Sequence, residues 1–141
     1  MKIYFSCSLT GGRDDEDVYG LIVDHLISRG YEVLTAHLAR PEVMEVEKVV
    51  DPKEVYQRDI EWIEYCDICI AEVSTPSHGV GYEIAYALGL DKPVLCCYKR
   101  DAVVSKMILG NDSPNITLGT YEMGSQVLGI IDSFIDELMG R

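Results

Sequence analysis

Positive charge is what this chain has least of. Twelve Lys and Arg stand against 24 Asp and Glu, a formal net charge of −12. Binding to DNA or RNA rests on cations that neutralise phosphates, so no nucleic-acid polymer is expected as a partner. A single small phosphate is different, because a few backbone amides and one arginine can hold it locally. The acidity otherwise reads as plain solubility. Long apolar runs are missing as well. Nothing approaches the ~20 residues needed to cross a bilayer, so no membrane association is expected. The segment Met1-Lys2-Ile3-Tyr4-Phe5 is strand-like and lacks the h-region and small-residue cleavage site of a secretory leader, which predicts a cytoplasmic protein.

Paired metal or disulfide motifs are scarce too. The five cysteines are Cys7, Cys66, Cys69, Cys96 and Cys97, an odd number that argues against a disulfide framework. Cys66 and Cys69 have the spacing of a redox or zinc half-site, but no second CxxC exists, and Cys69 lies inside the run Ile68-Cys69-Ile70-Ala71. Cys96 and Cys97 would point to opposite faces of a strand. Buried small hydrophobes are the expectation for these thiols. No His/Cys/Asp cluster has metal-ligand spacing, so neither a metal nor a cofactor is expected. There is no Gly-Lys-Ser/Thr loop ending and no GxGxxG. There is also no internal repeat, linker or low-complexity tract, and 141 residues with 48% hydrophobic content suit one domain spanning 1–141.

What is present is an alternation of apolar runs and helical stretches. Strands are predicted at Lys2–Cys7, Tyr31–Thr35, Asp67–Val73, Pro93–Tyr98 and Asn115–Leu118. Helices are predicted at Asp14–Ser28, closed by Gly30, at Lys53–Tyr65 behind Pro52, at Gly79–Leu90 and at Tyr121–Met139, with a short one at Val103–Leu109. The span Ala36–Asp51 has mixed signals and reads as a loop with a helical piece. The pattern predicts an α/β, flavodoxin-like or Rossmann-like three-layer sandwich: a five-stranded parallel sheet, order 2-1-3-4-5, with helices on both faces. In that order the ligand crevice lies at the carboxyl ends of strands one and three. The loops there are Ser6–Arg13 and Ser74–Gly81.

The second of these loops runs into Ser77-His78-Gly79-Val80-Gly81-Tyr82-Glu83. Two glycines allow close backbone approach, and a helix start offers unpaired N–H groups that suit a phosphate. Glu83 is expected in the first turn of that helix. A carboxylate beside an anion site is unfavourable unless it has work to do, although the helix dipole alone also favours an acid there. Asp59 shares the apolar stripe of Val55, Tyr56, Ile60 and Ile63, and an inward acid costs several kcal/mol unless paired, hydrogen-bonded or protonated. A helix-end or loop contact is its alternative reading. Paired carboxylates cleave glycosidic bonds when their pKa values are pushed apart. Tyr4, on strand one, is placed to orient one carboxylate or simply to pack in the core. The loop Ser6-Cys7-Ser8-Leu9-Thr10-Gly11-Gly12-Arg13 brings hydroxyls, flexible backbone and one fixed cation, or is only a glycine turn. His37 follows strand two on the same side and is placed to stack on or hydrogen-bond a base. His25 reads as core and His78 as exposed.

Five motifs together resemble one family. They are Tyr4–Arg13, Arg58-Asp59-Ile60-Glu61-Trp62, Ala71-Glu72-Val73, Pro76–Glu83 and Ser105-Lys106-Met107-Ile108-Leu109-Gly110. In order and spacing they look like the 2′-deoxynucleoside 5′-monophosphate N-glycosidases of the nucleoside 2-deoxyribosyltransferase superfamily. The resemblance implies Glu83 as nucleophile forming a covalent deoxyribosyl-enzyme, Asp59 protonating or hydrogen-bonding the leaving base, and Tyr4 holding Glu83. It implies a 5′-phosphate bound by Cys7, Ser8, Leu9, Thr10, Gly11, Gly12 and Arg13 together with Ser77 and Gly79, and a pocket flanked by His37 and Tyr19. It further implies a homodimer in which Ser105, Lys106 and Met107 reach the neighbouring site. The family carries glycine where Cys7 stands and arginine where Thr10 stands, so one cation near the phosphate is replaced, with Arg13 remaining. The products would be a free base and deoxyribose 5-phosphate. A deoxyribosyltransferase, a cytidylate-type ribonucleotide glycosidase and a non-catalytic nucleotide sensor are the other readings of the same chain.

Overall fold

The computed structural model describes all residues except Thr10–Asp14 and Pro41. Five strands form one sheet: β1 (Lys2–Ser6), β2 (Glu32–Val33), β3 (Ile68–Glu72), β4 (Val94–Lys99) and β5 (Ile116–Tyr121). All neighbours pair in parallel in the order β2-β1-β3-β4-β5, as the alternating pattern predicted. The helices are α1 (Glu16–Ser28), α2 (Val43–Glu47), α3 (Pro52–Tyr65), α4 (His78–Gly89), α5 (Lys106–Leu109) and α6 (Gln126–Met139), with a 3-10 turn at Ala36–Ala39.

The two-residue alternation of the strands splits the core in two. Ile3, Phe5, Ile68, Ile70, Leu95 and Cys97 face α1 and α6 and pack with Tyr19, Ile22, Val127 and Ile131. Tyr4, Cys69, Ala71, Val94 and Cys96 face α3 and α4 and pack with Ile63, Val80, Ile84 and Ala87. All five cysteines are free and buried. Burial pushes the Cys66 thiol up to about 11 and the Cys96 thiol up to about 12, so both stay protonated and behave as small apolar side chains.

Several boundaries differ from the sequence expectation, for local reasons. The second strand is two residues long because Thr35 takes over from the backbone. Its hydroxyl accepts from the Phe5 N–H and donates to the Phe5 carbonyl, groups that a longer β2 would have paired. The chain then turns into the 3-10 helix. The fifth strand runs on to Tyr121, whose ring is fully buried and whose hydroxyl donates to Glu72. The last helix therefore starts only at Gln126. Its side-chain oxygen accepts from the Glu122 and Met123 N–H groups and closes the intervening turn.

Helix starts follow ordinary capping. Asp51 accepts from the Lys53 N–H at 2.8 Å ahead of Pro52, and Ser77 accepts from the Val80 N–H at 3.3 Å. Because α4 begins at His78, Glu83 is its sixth residue. It stands in the second turn, not the first as expected, and no acid occupies the first turn. Its environment is therefore set by burial and by β1 rather than by the helix dipole. Among the described residues, no helix is long and apolar enough to cross a membrane.

Candidate active site

Strand β1 and helix α4 meet where the strand order reverses. Tyr4 and Ser6 are two apart on β1, so both project toward α4. The Tyr4 hydroxyl donates to Glu83 Oε2, and Ser6 Oγ donates to Glu83 Oε1 at 2.9 Å. The carboxylate is thus gripped by both oxygens and cannot rotate freely. Burial pushes the Glu83 carboxyl up to about 7; the hydrogen bonds from Tyr4 and Ser6 pull it down, the nearby Asp59 raises it and Arg58 lowers it. The Tyr4 phenol is driven far above its ordinary value, mainly by burial and then by the Glu83 and Asp59 charges, so it remains a donor throughout the physiological range.

Asp59 lies across the same cavity. That cavity encloses about 610 Å³, with Glu83, Gly79, His78 and Tyr82 on one wall, Val55, Tyr56, Asp59, Ile60 and Ile63 of α3 on another, and Leu9, Glu47, Lys48 and Val50 at its edges. The α3 stripe expected to face inward is a cavity wall: only Ile63 is fully buried, Val55 and Ile60 are half-buried and Tyr56 is exposed. Burial raises the Asp59 carboxyl, and the Arg58 guanidinium, 2.9 Å from Oδ1, opposes that shift. A mostly apolar slot holding a few polar groups is the usual architecture of a small-molecule site. The two acids share it, and burial works on both.

The other predicted residues sort into distinct places. Leu9 and Gly79 line the cavity. Cys7 is buried, with its thiol 3.9 Å from the Leu38 carbonyl, and Ser8 is fully buried. Thr10, Gly11, Gly12 and Arg13 lie outside the described residues. Tyr19 is fully buried in the α1-side core, its ring 6.2 Å from Phe5, and is not among the cavity-lining residues. It stands beneath the first loop, where it has a backbone contact with Ser8. His37 sits on the 3-10 turn, half-exposed, with its ring edge-on to Trp62 at 5.6 Å and Nε2 at 3.5 Å from Glu47. It does not line the cavity itself but is paired with Glu47, which does. Ser77 caps α4 and belongs to a neighbouring groove, lined also by Ser105 and Met107 and by Ile108. Lys106 is exposed. In the single chain, Ser105, Lys106 and Met107 do not line the Glu83 cavity.

Sequence reasoning gave no individual role to Ser6 or Arg58, although both lie in the motifs it singled out, and passed over Glu47. The signal for Ser6 was available, because a residue two after Tyr4 on a strand shares its face. Glu47 had none, since its position depends on how α2 packs. A second polar cluster was missed as well. Fully buried Glu72 accepts from Tyr121, from Ser74 Oγ and from the Ser74 N–H, and Asp15 pairs with Lys99 and Thr75. It ties the start of α1 to the ends of β3 and β4 and braces the start of the Ser74–Gly81 loop.

Residues 3–127 match the family model described as nucleoside 2-deoxyribosyltransferase. The chain belongs to this family. Among the nucleoside 2-deoxyribosyltransferase relatives, a Methanosarcina mazei protein named "Putative 2'-deoxynucleoside 5'-phosphate N-hydrolase 1" is 41% identical over 137 residues, covering 97% of this chain and 85% of the relative. A Rattus norvegicus protein named 5-hydroxymethyl-dUMP N-hydrolase is 38% identical over 140 residues, covering 96% of this chain and 85% of the relative. The fold matches the Clostridium botulinum CMP N-glycosidase BcmB with a TM-score of 0.74 at 18% identity, covering 95% and 99% of the two chains. It also matches a 2-deoxyribosyltransferase from Bacillus psychrosaccharolyticus with a TM-score of 0.63 at 19% identity, covering 91% and 90%. Nucleoside 2-deoxyribosyltransferase architecture therefore accounts for nearly the whole chain.

Proposed function

We propose that this protein hydrolyses the N-glycosidic bond of 2′-deoxynucleoside 5′-monophosphates, releasing a free base and 2-deoxyribose 5-phosphate. The observation that carries the reading is Glu83: a half-buried carboxylate at a cavity wall, fixed by Tyr4 and Ser6, and facing a cavity shared with Asp59. The names of the relatives support the same substrate class.

In the first step, one ionised Glu83 oxygen attacks the anomeric carbon while the bond to the base breaks. Protonated Asp59 gives its proton to the departing base. The product is a glycosyl ester on Glu83. In the second step, water attacks the same carbon, Asp59 takes the water proton, and the ester bond returns its electron pair to Glu83. Positive charge develops on the sugar between the phosphate and Glu83, so the clustering of negative groups stabilises the transition state more than the ground state. Tyr4 acts as a positioning residue, holding the nucleophile in one rotamer.

The 5′-phosphate is assigned to the loop Cys7–Arg13, Ser77 and the Gly79 backbone. Tyr19 enters as a support for that loop, and His37 as a support for Glu47. The reading takes the protein to be a cytoplasmic homodimer, with Ser105, Lys106 and Met107 of one protomer completing the site of its partner.

The deciding experiment is base release from a panel of deoxynucleotides by the parent and Glu83→Ala. The parent should release base, and the variant should bind nucleotide without turnover. Release at the parental rate by Glu83→Ala overturns the assignment. The matched family is named for a transferase, so a second free base belongs in the same assay. An exchanged nucleotide as the main product would assign deoxyribosyl transfer instead, through the same Glu83 ester.

A further inference from the structure

Arg58 stands beside the site without lining the cavity. Its Nε donates to Asp59 Oδ1 at 2.9 Å, and its Nη1 is 3.0 Å from Glu47 Oε1. Its guanidinium carbon lies 5.0 Å from the centre of the Trp62 ring, on which the group stacks. The side chains of Glu47 and Asp59 are 11% and 16% exposed, so the cation is shared between two nearly buried acids. A guanidinium can hold both oxygens of one carboxylate through Nε and Nη2. Here Nη2 is buried with no hydrogen-bond partner among the described residues, and the contact to Asp59 is through one oxygen only.

We propose that Arg58 is a positioning residue that holds Asp59 by Oδ1, leaves Oδ2 for the leaving base, and is itself locked to α2 through Glu47. The inference rests on the N-glycosidase reading and extends it to a residue outside the acid pair. The single-oxygen grip matters chemically. A bidentate pair would occupy both lone-pair faces that the proton shuttle needs, whereas a one-oxygen pair orients the carboxyl and keeps the other oxygen for proton transfer. Because Glu47 and Lys48 also border the cavity, the Glu47–Arg58 contact couples that edge of the site to its acid.

Charge accounting agrees with the geometry. Asp59 is faced by Arg58 on its own helix, Glu47 on α2, His37 on the 3-10 turn, and Glu83 and Tyr4 from α4 and β1. Three carboxylates meet one permanent cation, so such a cluster retains a proton. Arg58 lowers both the Asp59 and Glu83 carboxyls. Its removal should move both upward. The acid limb of the rate profile, where Glu83 must ionise, and the alkaline limb, where Asp59 must keep its proton, should both shift to higher pH.

The test compares the parent, Arg58→Gln and Arg58→Lys in two measurements. The first is kcat and KM for base release across pH. The second is titration of 13C-labelled Asp and Glu carboxyls by NMR, with circular dichroism to check the fold. Arg58→Gln should lose about 10- to 100-fold in kcat, the scale for a misplaced catalytic group, with a smaller change in KM. Both limbs should move to higher pH, and the Asp59 resonance should titrate later than in the parent. Arg58→Lys should keep the limbs near the parental pH yet remain slow, because a lysine keeps the charge and loses the fork. Parental kcat and limbs in a folded Arg58→Gln overturn the proposal, as does a uniform loss of activity with no shift in either limb. If the parent itself releases no base, the function reading fails, and the NMR titration alone decides. An Asp59 carboxyl titrating identically in parent and Arg58→Gln then sinks the role of Arg58.

Discussion

Tyr4 and Glu83 are 79 positions apart in sequence and joined by a hydrogen bond from the phenol to Oε2. That bond lowers the Glu83 carboxyl while burial raises it. Replacing Tyr4 by Phe removes the donor and keeps the ring that packs between β3 and α4. The Glu83 carboxyl should then titrate at higher pH, because the charged form loses a stabilising partner. A smaller ionised fraction near neutral pH and a looser rotamer should lower kcat/KM about 10- to 100-fold. The acid limb of the kcat/KM profile should move up. A limb at the parental pH would remove Tyr4 from control of Glu83.

Burial of Glu83 has a consequence for stability as well. Its carboxyl rises from the ordinary 4.5 to about 7 in the folded chain, so the folded state binds the proton more tightly than the unfolded state. Glu83 therefore favours folding below its ordinary value, and that contribution is lost as pH rises through about 7. The full span corresponds to roughly 3 kcal/mol. Glu83→Gln is neutral at every pH and can still accept from Tyr4. It should melt several degrees above the parent near pH ~8 and close to it near pH ~5, while being inactive. Equal differences in Tm at both pH values would contradict the buried, titrating carboxylate.

How much of this was legible in the sequence follows from range. Alternating apolar runs and helical stretches pointed to a parallel sheet covered on both faces, because two-face burial leaves a local pattern repeated along the chain, and the strand order followed from the flavodoxin-like arrangement common to such sheets. Asp59 was visible as a charge on an apolar stripe. Its stripe proved to be a cavity wall, since periodicity marks the side turned inward without saying whether anything fills it. Strand ends were the weak point. Thr35 closes β2 and Tyr121 extends β5 through contacts with Phe5 and Glu72, partners distant in sequence. Glu83 stands in the second turn of α4 and not the first, since the helix starts at His78, behind the Ser77 cap and one residue before the first glycine. Glu47 was hidden because the 36–51 segment has no period of its own.

Asp59 should matter in proportion to the leaving group. Asp59→Asn keeps the shape and the contact to Arg58 Nε but supplies no transferable proton. The rate of base release should fall about 100-fold or more for bases that depart poorly without protonation. The loss should be smaller for bases that leave readily as anions. A set of deoxynucleotides graded by base acidity, assayed with parent and variant, checks this. Equal losses across the series would assign Asp59 to binding rather than proton transfer.

The groove beside α4 supplies the last prediction. It is walled by Ser77, Tyr82, Ser105, Met107 and Ile108, and Met107 and Val103 are 83% and 87% exposed. Ser105 caps α5 through the Met107 N–H at 3.1 Å, so the segment presents a fixed shape to whatever covers it. If a second copy covers it and Ser105 serves the neighbouring site, two inactive variants should rescue one another. Glu83→Ala and Ser105→Arg are each expected to be inactive as homodimers. In a mixed dimer, the chain with intact Glu83 receives the intact Ser105 of its partner, so one site regains function. Subunits mixed under conditions that allow exchange should recover base release, whereas unexchanged mixtures should not. No recovery after demonstrated exchange would place Ser105 at the site of its own chain, or at none.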